Sequence, residues 1–321
     1  MDLLFLGNSY TFQNELDQRV REALVGLDGA TWQEGETVRL AEGGQTFAGH
    51  LARTTEDGSA WQAALAVDSA TWDFVILQEQ SQIPGFTSTN AEYRASVDAA
   101  VALDDLAEAR GAQVFFLNTW GRRDGDAQNA DRFPDFLAME AHLEAGYLDY
   151  RDRTSTAERP TWIAPAGPAF ARVHAGVLAA GGDPASPDSD FARLYSADGS
   201  HPSALGTWLA AYVLATSITG RTPVGLPTPS GLEDADALLV QTAASDTVFD
   251  STLVYTYPWT GSGGIDTGTD TDTANDTGAP GDSGPAAEGQ PSDCGCSTSR
   301  APWGTAALML ALTFVRRRRV A

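Results

Sequence analysis

The feature that most restricts how this chain folds is a run of four apolar residues, Leu3-Leu-Phe-Leu6. It breaks directly into Gly7-Asn8-Ser9, and an apolar-periodic segment follows from about Phe12 to Leu27. The run is apolar on both faces of a strand, the glycine permits a tight turn, and the spacing that follows is helical. The unit recurs. Thr37 to Leu40 reads as a second strand ending in the loop Ala41-Glu-Gly-Gly-Gln45, Trp72 to Gln78 as a third, Val114 to Asn118 as a fourth and Thr161 to Pro165 as a fifth. Helical spacing fills Tyr93 to Arg110, Phe133 to Tyr150 and Ala169 to Ala179. A last helix runs from His201-Pro202 to about Thr219, with Pro202 suited to its first turn, and Leu232 to Phe249 adds a short helix at the edge. Short strands buried on both faces, alternating with longer helices, predict an α/β fold with a mainly parallel sheet covered on both sides.

Sites in such folds gather beyond the carboxyl ends of the strands. Ser9 follows strand one there, Gly43 and Gly44 strand two, Gln78 and Gln80 strand three, and Asn118 and Trp120 strand four.

Composition divides the chain into residues 1–260, which alternate apolar runs and polar turns, and two tail segments. Over 261–293 the chain is Thr, Asp, Gly, Ser, Pro and Ala with almost no large apolar residue, which predicts a disordered acidic linker. Its aspartates Asp266, Asp270, Asp272 and Asp276 lack the bidentate glutamate and fixed turn of a helix-loop-helix calcium site. Over 294–321 come Cys294-Gly-Cys296, an apolar run at 301–315 and Arg316 to Arg319. As a helix that run rises about 22 Å, short of a hydrocarbon core of about 30 Å, so it reads as a marginal membrane segment with a cytoplasmic arginine end.

With 43 acidic residues against 20 basic ones, all arginine, the net charge is −23, and nucleic acid is excluded as a partner. Both cysteines lie in the tail, so residues 1–260 use neither disulfides nor a cysteine metal site. His50, His142 and His174 show no metal spacing, and neither a metal nor a cofactor is expected.

A serine hydroxyl becomes a useful nucleophile when a base takes its proton and a third group orients that base. Ser9 stands in a strand-to-helix turn, which on its own is equally a helix cap. Asp198-Gly-Ser-His201-Pro202 supplies the missing groups: an aspartate and a histidine three apart in a loop can meet at one point. The competing reading of that segment is a turn closed by Asp198 with His201 at the start of a helix.

Gly7-Asn-Ser9, the glycine after strand two, a polar pair after strand three and Asp198-x-x-His201 together resemble the four blocks of the SGNH/GDSL hydrolases. Phe5-Leu-Gly-Asn-Ser-Tyr-Thr11 with Leu77-Gln-Glu-Gln-Ser81 is more similar still to an uncharacterised bacterial branch of them. The resemblance covers about residues 1–250. It implies a flavodoxin-like three-layer α/β/α sandwich and ester hydrolysis through an acyl-enzyme. Ser9 would be the nucleophile, His201 the base and then the acid, and Asp198 its orienter. The backbone N–H groups of Ser9 and Gly44 would hold the oxyanion. The family's third donor, an asparagine, corresponds to Gln80 here, one methylene longer, with Asn118 as a substitute from the next strand.

Around these, Asn8 holds the loop and, with Gln78, faces the substrate. Glu79 either orients a substrate hydroxyl or is solvated, Trp120 either stacks on a sugar or covers the sheet, and Tyr10 packs. The expected substrate is a short-chain O-acyl ester, with a carbohydrate as the alcohol. The alternatives are a non-catalytic glycan-binding module on the same scaffold and a lipase or thioesterase. The tail resembles the cysteine-bearing sorting tag of myxobacterial surface proteins, which implies anchoring at the cell envelope and a sorting protease as partner. Met1 leads straight into strand one, so the export signal is expected upstream of a misassigned start.

Overall fold

Leu3–Gly7 forms β1, and all five of its residues are buried. The structure, a computed structural model, describes residues 1–68 and 70–260. The expected linker at 261–293, Cys294, Cys296, the apolar run at 301–315 and the terminal arginines lie outside the described residues. The remaining strands are β2 (Thr37–Ala41), β3 (Phe74–Leu77), β4 (Gln113–Leu117) and β5 (Trp162–Ala164). They pair in the order β2-β1-β3-β4-β5, every pair parallel, with Gly7 opposite Ala41 and Leu6 opposite Leu77. In this flavodoxin-like order the strand sequence reverses direction beside β1, which opens a crevice at its carboxyl end.

Helices cover both faces: α1 (Ser9–Phe12), α2 (Leu16–Trp32), α3 (Phe47–Arg53), α4 (Ala91–Ala109), α5 (Phe136–Thr154), α6 (Ala166–Ala179), α7 (Asp190–Arg193), α8 (Ala204–Thr219) and α9 (Asp234–Val248). Side chains alternate along a strand, so β1 contributes to two cores. Leu3 and Phe5 pack with Val20 and Leu24 of α2, Phe170 of α6, Leu209 of α8 and Val240 of α9. Leu4 and Leu6 pack with Phe47 of α3, Leu103 of α4 and Tyr147 of α5. The result is the three-layer α/β/α sandwich expected from the sequence.

Several elements differ from the sequence reading. The helix expected from Phe12 starts at Ser9 and is broken at Asn14 and Glu15, whose φ angles are 54° and 58°. Asparagine tolerates this left-handed geometry better than most residues, and the Asn14 amide is bonded to Pro202 O and Thr207 Oγ1, each at 3.0 Å. The break therefore ties the turn after β1 to the start of α8. Pro202 is not in the first turn of α8; it pairs with Tyr195 in an isolated bridge, and Ser203 caps the helix by accepting the Gly206 N–H at 3.2 Å. The last helix is a full 15 residues, packed on α8 rather than short. Helix α3 was not foreseen. Among the described residues no helix is long and apolar enough to cross a membrane.

Candidate active site

Gly7 ends β1 at a crowded point. A Cβ there would stand 2.1 Å from Thr11 Oγ1 and 2.8 Å from Gln78 Oε1, so only glycine lets the strand turn at once into α1. Asn8 caps that helix, accepting the Tyr10 N–H at 3.1 Å, and its amide donates to Gln45 O and Glu79 O at 3.1 and 3.3 Å. Gln78 Oε1 accepts from Asn8 N–H and the Thr11 hydroxyl at 3.0 and 2.9 Å. The Ser9 turn is thereby fastened to the loops after β2 and β3.

The loop before α8 is folded by its own aspartate. Asp198 Oδ1 accepts from the N–H groups of Ser200 and His201 at 2.9 and 3.0 Å, while Gly199, which follows the aspartate, has φ +67°. The other oxygen, Oδ2, is 2.6 Å from His201 Nδ1, and His201 Nε2 is 2.9 Å from Ser9 Oγ. Burial works to raise the Asp198 pKa, but the bond from His201 and the two backbone N–H groups outweigh it and hold the carboxyl below its ordinary range. A carboxylate on Nδ1 fixes the tautomer that leaves Nε2 free to accept the serine proton. Ser9, His201 and Asp198, 192 residues apart in the chain at their extremes, thus form one continuous relay.

A cavity of about 250 Å³ opens over this relay, with Asn8, Ser9, Gly44, Gln80 and His201 in its walls. Gly44 has φ +68°, a conformation costly to any other residue. Among the described residues neither the Ser9 nor the Gly44 N–H has an acceptor. Gln80 Oε1 accepts the Gln82 N–H at 2.8 Å, and its Nε2 makes a long 3.4 Å bond to Gln82 Oε1.

Other residues expected to face substrate are turned inward. Gln78 is buried and committed to the Ser9 turn. Glu79 is neither solvated nor in the cavity; it is buried, accepting the Phe47 N–H at 3.0 Å and the Gln80 N–H at 2.6 Å, with the Ser96 hydroxyl as a third donor. Burial pushes its pKa up from 4.5 to about 7, against those three donors. Asn118 is buried away from the cavity. Trp120 is buried in a stack between Tyr10 and Phe170, with ring centroids 5.0 and 4.5 Å away, and its indole N–H bonds Ser200 O at 3.2 Å. It cannot stack on a sugar, because both of its faces are taken. His50 is likewise a brace: it contacts Gly7 O through Nε2 at 3.0 Å and accepts the Trp61 N–H on Nδ1, and burial lowers its pKa to about 4.

Tyr10, Ser81, Arg122 and Ser200 complete the cavity wall. Tyr10 does more than pack, since its hydroxyl bonds Ser200 Oγ at 2.7 Å and its ring lies edge-on to His201. Arg122 was not expected from the sequence, because it lies five residues beyond the end of β4. The available signal was an arginine on a glycine-rich loop a few residues further along.

No family model matches the chain, and no curated protein matches it. Solved structures do. A candidate SGNH hydrolase from Slackia heliotrinireducens is 29% identical, covering 67% of this chain and 97% of its own, with a TM-score of 0.48. A DUF4886 family protein from Bacteroides uniformis is 16% identical, covering 77% and 94%, with a TM-score of 0.58. A catalytic mutant of an acetylxylan esterase from Geobacillus stearothermophilus is 14% identical, covering 67% and 93%, with a TM-score of 0.44. The Bacteroides uniformis protein shares the three-layer fold with this chain.

Proposed function

We propose that this chain is a serine hydrolase of the SGNH type that cleaves short-chain O-acyl esters through an acyl-enzyme. The observation that carries the reading is the relay itself, 2.9 Å from Ser9 Oγ to His201 Nε2 and 2.6 Å from His201 Nδ1 to Asp198. Both are bonding distances already in place without substrate. A binding module has no need of such an alignment.

In this mechanism Ser9 Oγ attacks the ester carbonyl as His201 Nε2 takes its proton, and Asp198 stabilises the imidazolium. The carbonyl oxygen becomes an oxyanion, held by the N–H groups of Ser9 and Gly44 and by the Gln80 amide. Collapse of this intermediate breaks the C–O bond, His201 returns the proton to the leaving alcohol, and the acyl group stays on Ser9. Water then repeats the sequence, giving the free acid and restoring Ser9. No metal enters any step.

Cavity size and lining support a short acyl group. At about 250 Å³, with serine, asparagine, glutamine and arginine side chains in its walls, the cavity suits acetyl better than a fatty chain. The larger cavity of about 630 Å³ lies elsewhere, between α6 and α9, beside Val177 and Leu239. Acetylated sugars are the substrates this favours.

The test is time-resolved hydrolysis of p-nitrophenyl acetate by the full chain beside Ser9→Ala and His201→Ala, followed by acetate release from acetylated glycans. Loss of about 10³-fold or more in kcat in each variant is expected. Cleavage of long-chain esters with no acetate release would overturn the substrate assignment. Anchoring at the cell envelope through residues 294–321 remains part of the proposal, supported by sequence alone, and is checked by membrane fractionation of the full chain against one ending at residue 293.

A further inference from the structure

Among the described residues, the cavity over Ser9 holds one fixed positive charge, Arg122, and no carboxylate lines it. The chain as a whole carries a net charge of −23. The arginine is also built in rather than draped over the surface. Asp126, whose side chain is 1% exposed, takes its Nη1 at 2.8 Å through Oδ1. The same oxygen accepts the Gln128 N–H at 3.1 Å, and Oδ2 serves Asn129 Nδ2 at 2.6 Å and the Gln82 amide. Burial alone would raise the Asp126 pKa, but these donors together with Arg122 hold it below the ordinary range, so the anchor stays ionised. The backbone is fixed as well, since the neighbouring Arg123 N–H bonds Gly199 O, inside the Asp198 to His201 loop, at 2.8 Å.

This anchoring leaves the Nη2 end of the guanidinium without a short partner among the described residues. An arginine whose purpose is structural commonly meets its carboxylate with two parallel bonds, but Asp126 spends its second oxygen on amides. Arg122 Nη2 has a long 3.3 Å contact to Ser81 Oγ, and the guanidinium lies within reach of the Tyr10 hydroxyl, both cavity residues, whereas its Nε is buried. A planar set of donors beside the nucleophile, held in place from behind, is complementary to a planar anion.

We infer that Arg122 is a specificity residue that binds a carboxylate carried by the ester substrate. The inference rests on the hydrolase reading of the same cavity. Two kinds of ester present that chemistry: an acylated uronic acid, with the carboxylate on the alcohol side, and a half-ester of a dicarboxylic acid, with it on the acyl side. Either way the anion replaces water on the open side of the guanidinium while Asp126 keeps its own bond.

The experiment compares kcat/KM of the full chain on two matched pairs. One pair is acetylated methyl galacturonoside against acetylated methyl galactoside; the other is mono-p-nitrophenyl adipate against p-nitrophenyl hexanoate. At least one anionic member is expected to be preferred by on the order of tenfold to a hundredfold, mostly through KM. The pair that shows the preference identifies the side carrying the charge. In Arg122→Gln the preference disappears, and in Arg122→Lys part of it returns. Equal rates within both pairs, or a preference that survives Arg122→Gln, overturn the assignment. Should both variants misfold, competition decides: galacturonate or adipate inhibits the wild-type chain where galactose or hexanol does not, and equal effects of acid and neutral compound overturn it. Cleavage of the neutral esters that is lost in Ser9→Ala but shows no anionic preference removes Arg122 from recognition and leaves the hydrolase intact. Absence of any Ser9-dependent cleavage removes both.

Discussion

Each oxygen of the Asp198 carboxylate has its own task, Oδ1 folding the loop onto two N–H groups and Oδ2 holding His201 Nδ1. Asp198→Asn keeps much of the first task but presents an amide that favours the wrong imidazole tautomer. A fall in kcat of about 10⁴ with a near-wild-type melting temperature is therefore expected, read from ester hydrolysis beside thermal unfolding. That Ser9, Asp198 and His201 meet was legible from their patterns taken together, since alone the Ser9 turn reads equally as a helix cap and the Asp198 segment as a closed turn. Gln78, Glu79, Asn118 and Trp120 were placed at the right edge of the sheet, yet each is buried. A residue after a strand can point up into the crevice or back into a layer, and the local sequence does not distinguish the two. Trp120 and Arg122 make the point together: two residues apart on one loop, the first is walled in by Tyr10 and Phe170 and the second opens on the nucleophile.

The turn from β1 to α1 controls the site at the level of elements. Because a Cβ on Gly7 meets Thr11 and Gln78, Gly7→Ala forces the turn to shift. Overpacking of this kind costs about 1–3 kcal/mol. The variant is expected to melt lower and to lose kcat disproportionately, since Ser9 moves with the turn; unchanged kcat would show that the turn does not set the nucleophile. The central strands were readable because each is apolar on both faces, and β2, with Arg39 exposed, through its short β-branched run, whereas strand ends moved by one or two residues. Helix α3 escaped notice because it is only seven residues long and carries Gly49 and His50, with Thr46 accepting the Gly49 N–H as its cap. The left-handed break at Asn14 and Glu15 was also invisible, because its cause is a bond to Pro202, 188 residues away.

Across the whole molecule, two buried carboxyls set a pH dependence. Burial raises Glu79 from 4.5 to about 7, and raises Glu140, on α5, from 4.5 to about 8. Between those values the folded state retains protons that the unfolded chain has released, so this stabilisation is complete below about pH 4.5 and is lost as pH rises through 7 and 8. Asp126, held below its ordinary value, acts in the opposite sense, its contribution being lost as pH falls through its native pKa. The melting temperature should therefore peak on the acid side of neutrality and decline until pH passes about 8. Glu140→Gln preserves an acceptor for the Gly121 N–H, which Glu140 Oε2 takes at 2.7 Å, and removes the ionisation. Its alkaline decline should be shallower than that of the wild type; an identical pH profile would mean that Glu140 does not titrate in this range.

If Ser9 is a nucleophile made reactive by His201, a fluorophosphonate should label the full chain covalently, as read by intact mass and peptide mapping. Attack by Ser9 Oγ on phosphorus expels fluoride and leaves a stable ester on the serine. A single adduct is expected on Ser9, absent in Ser9→Ala and formed far more slowly in His201→Ala. A folded chain that takes no label, or one that labels equally well without Ser9, would contradict this role of Ser9.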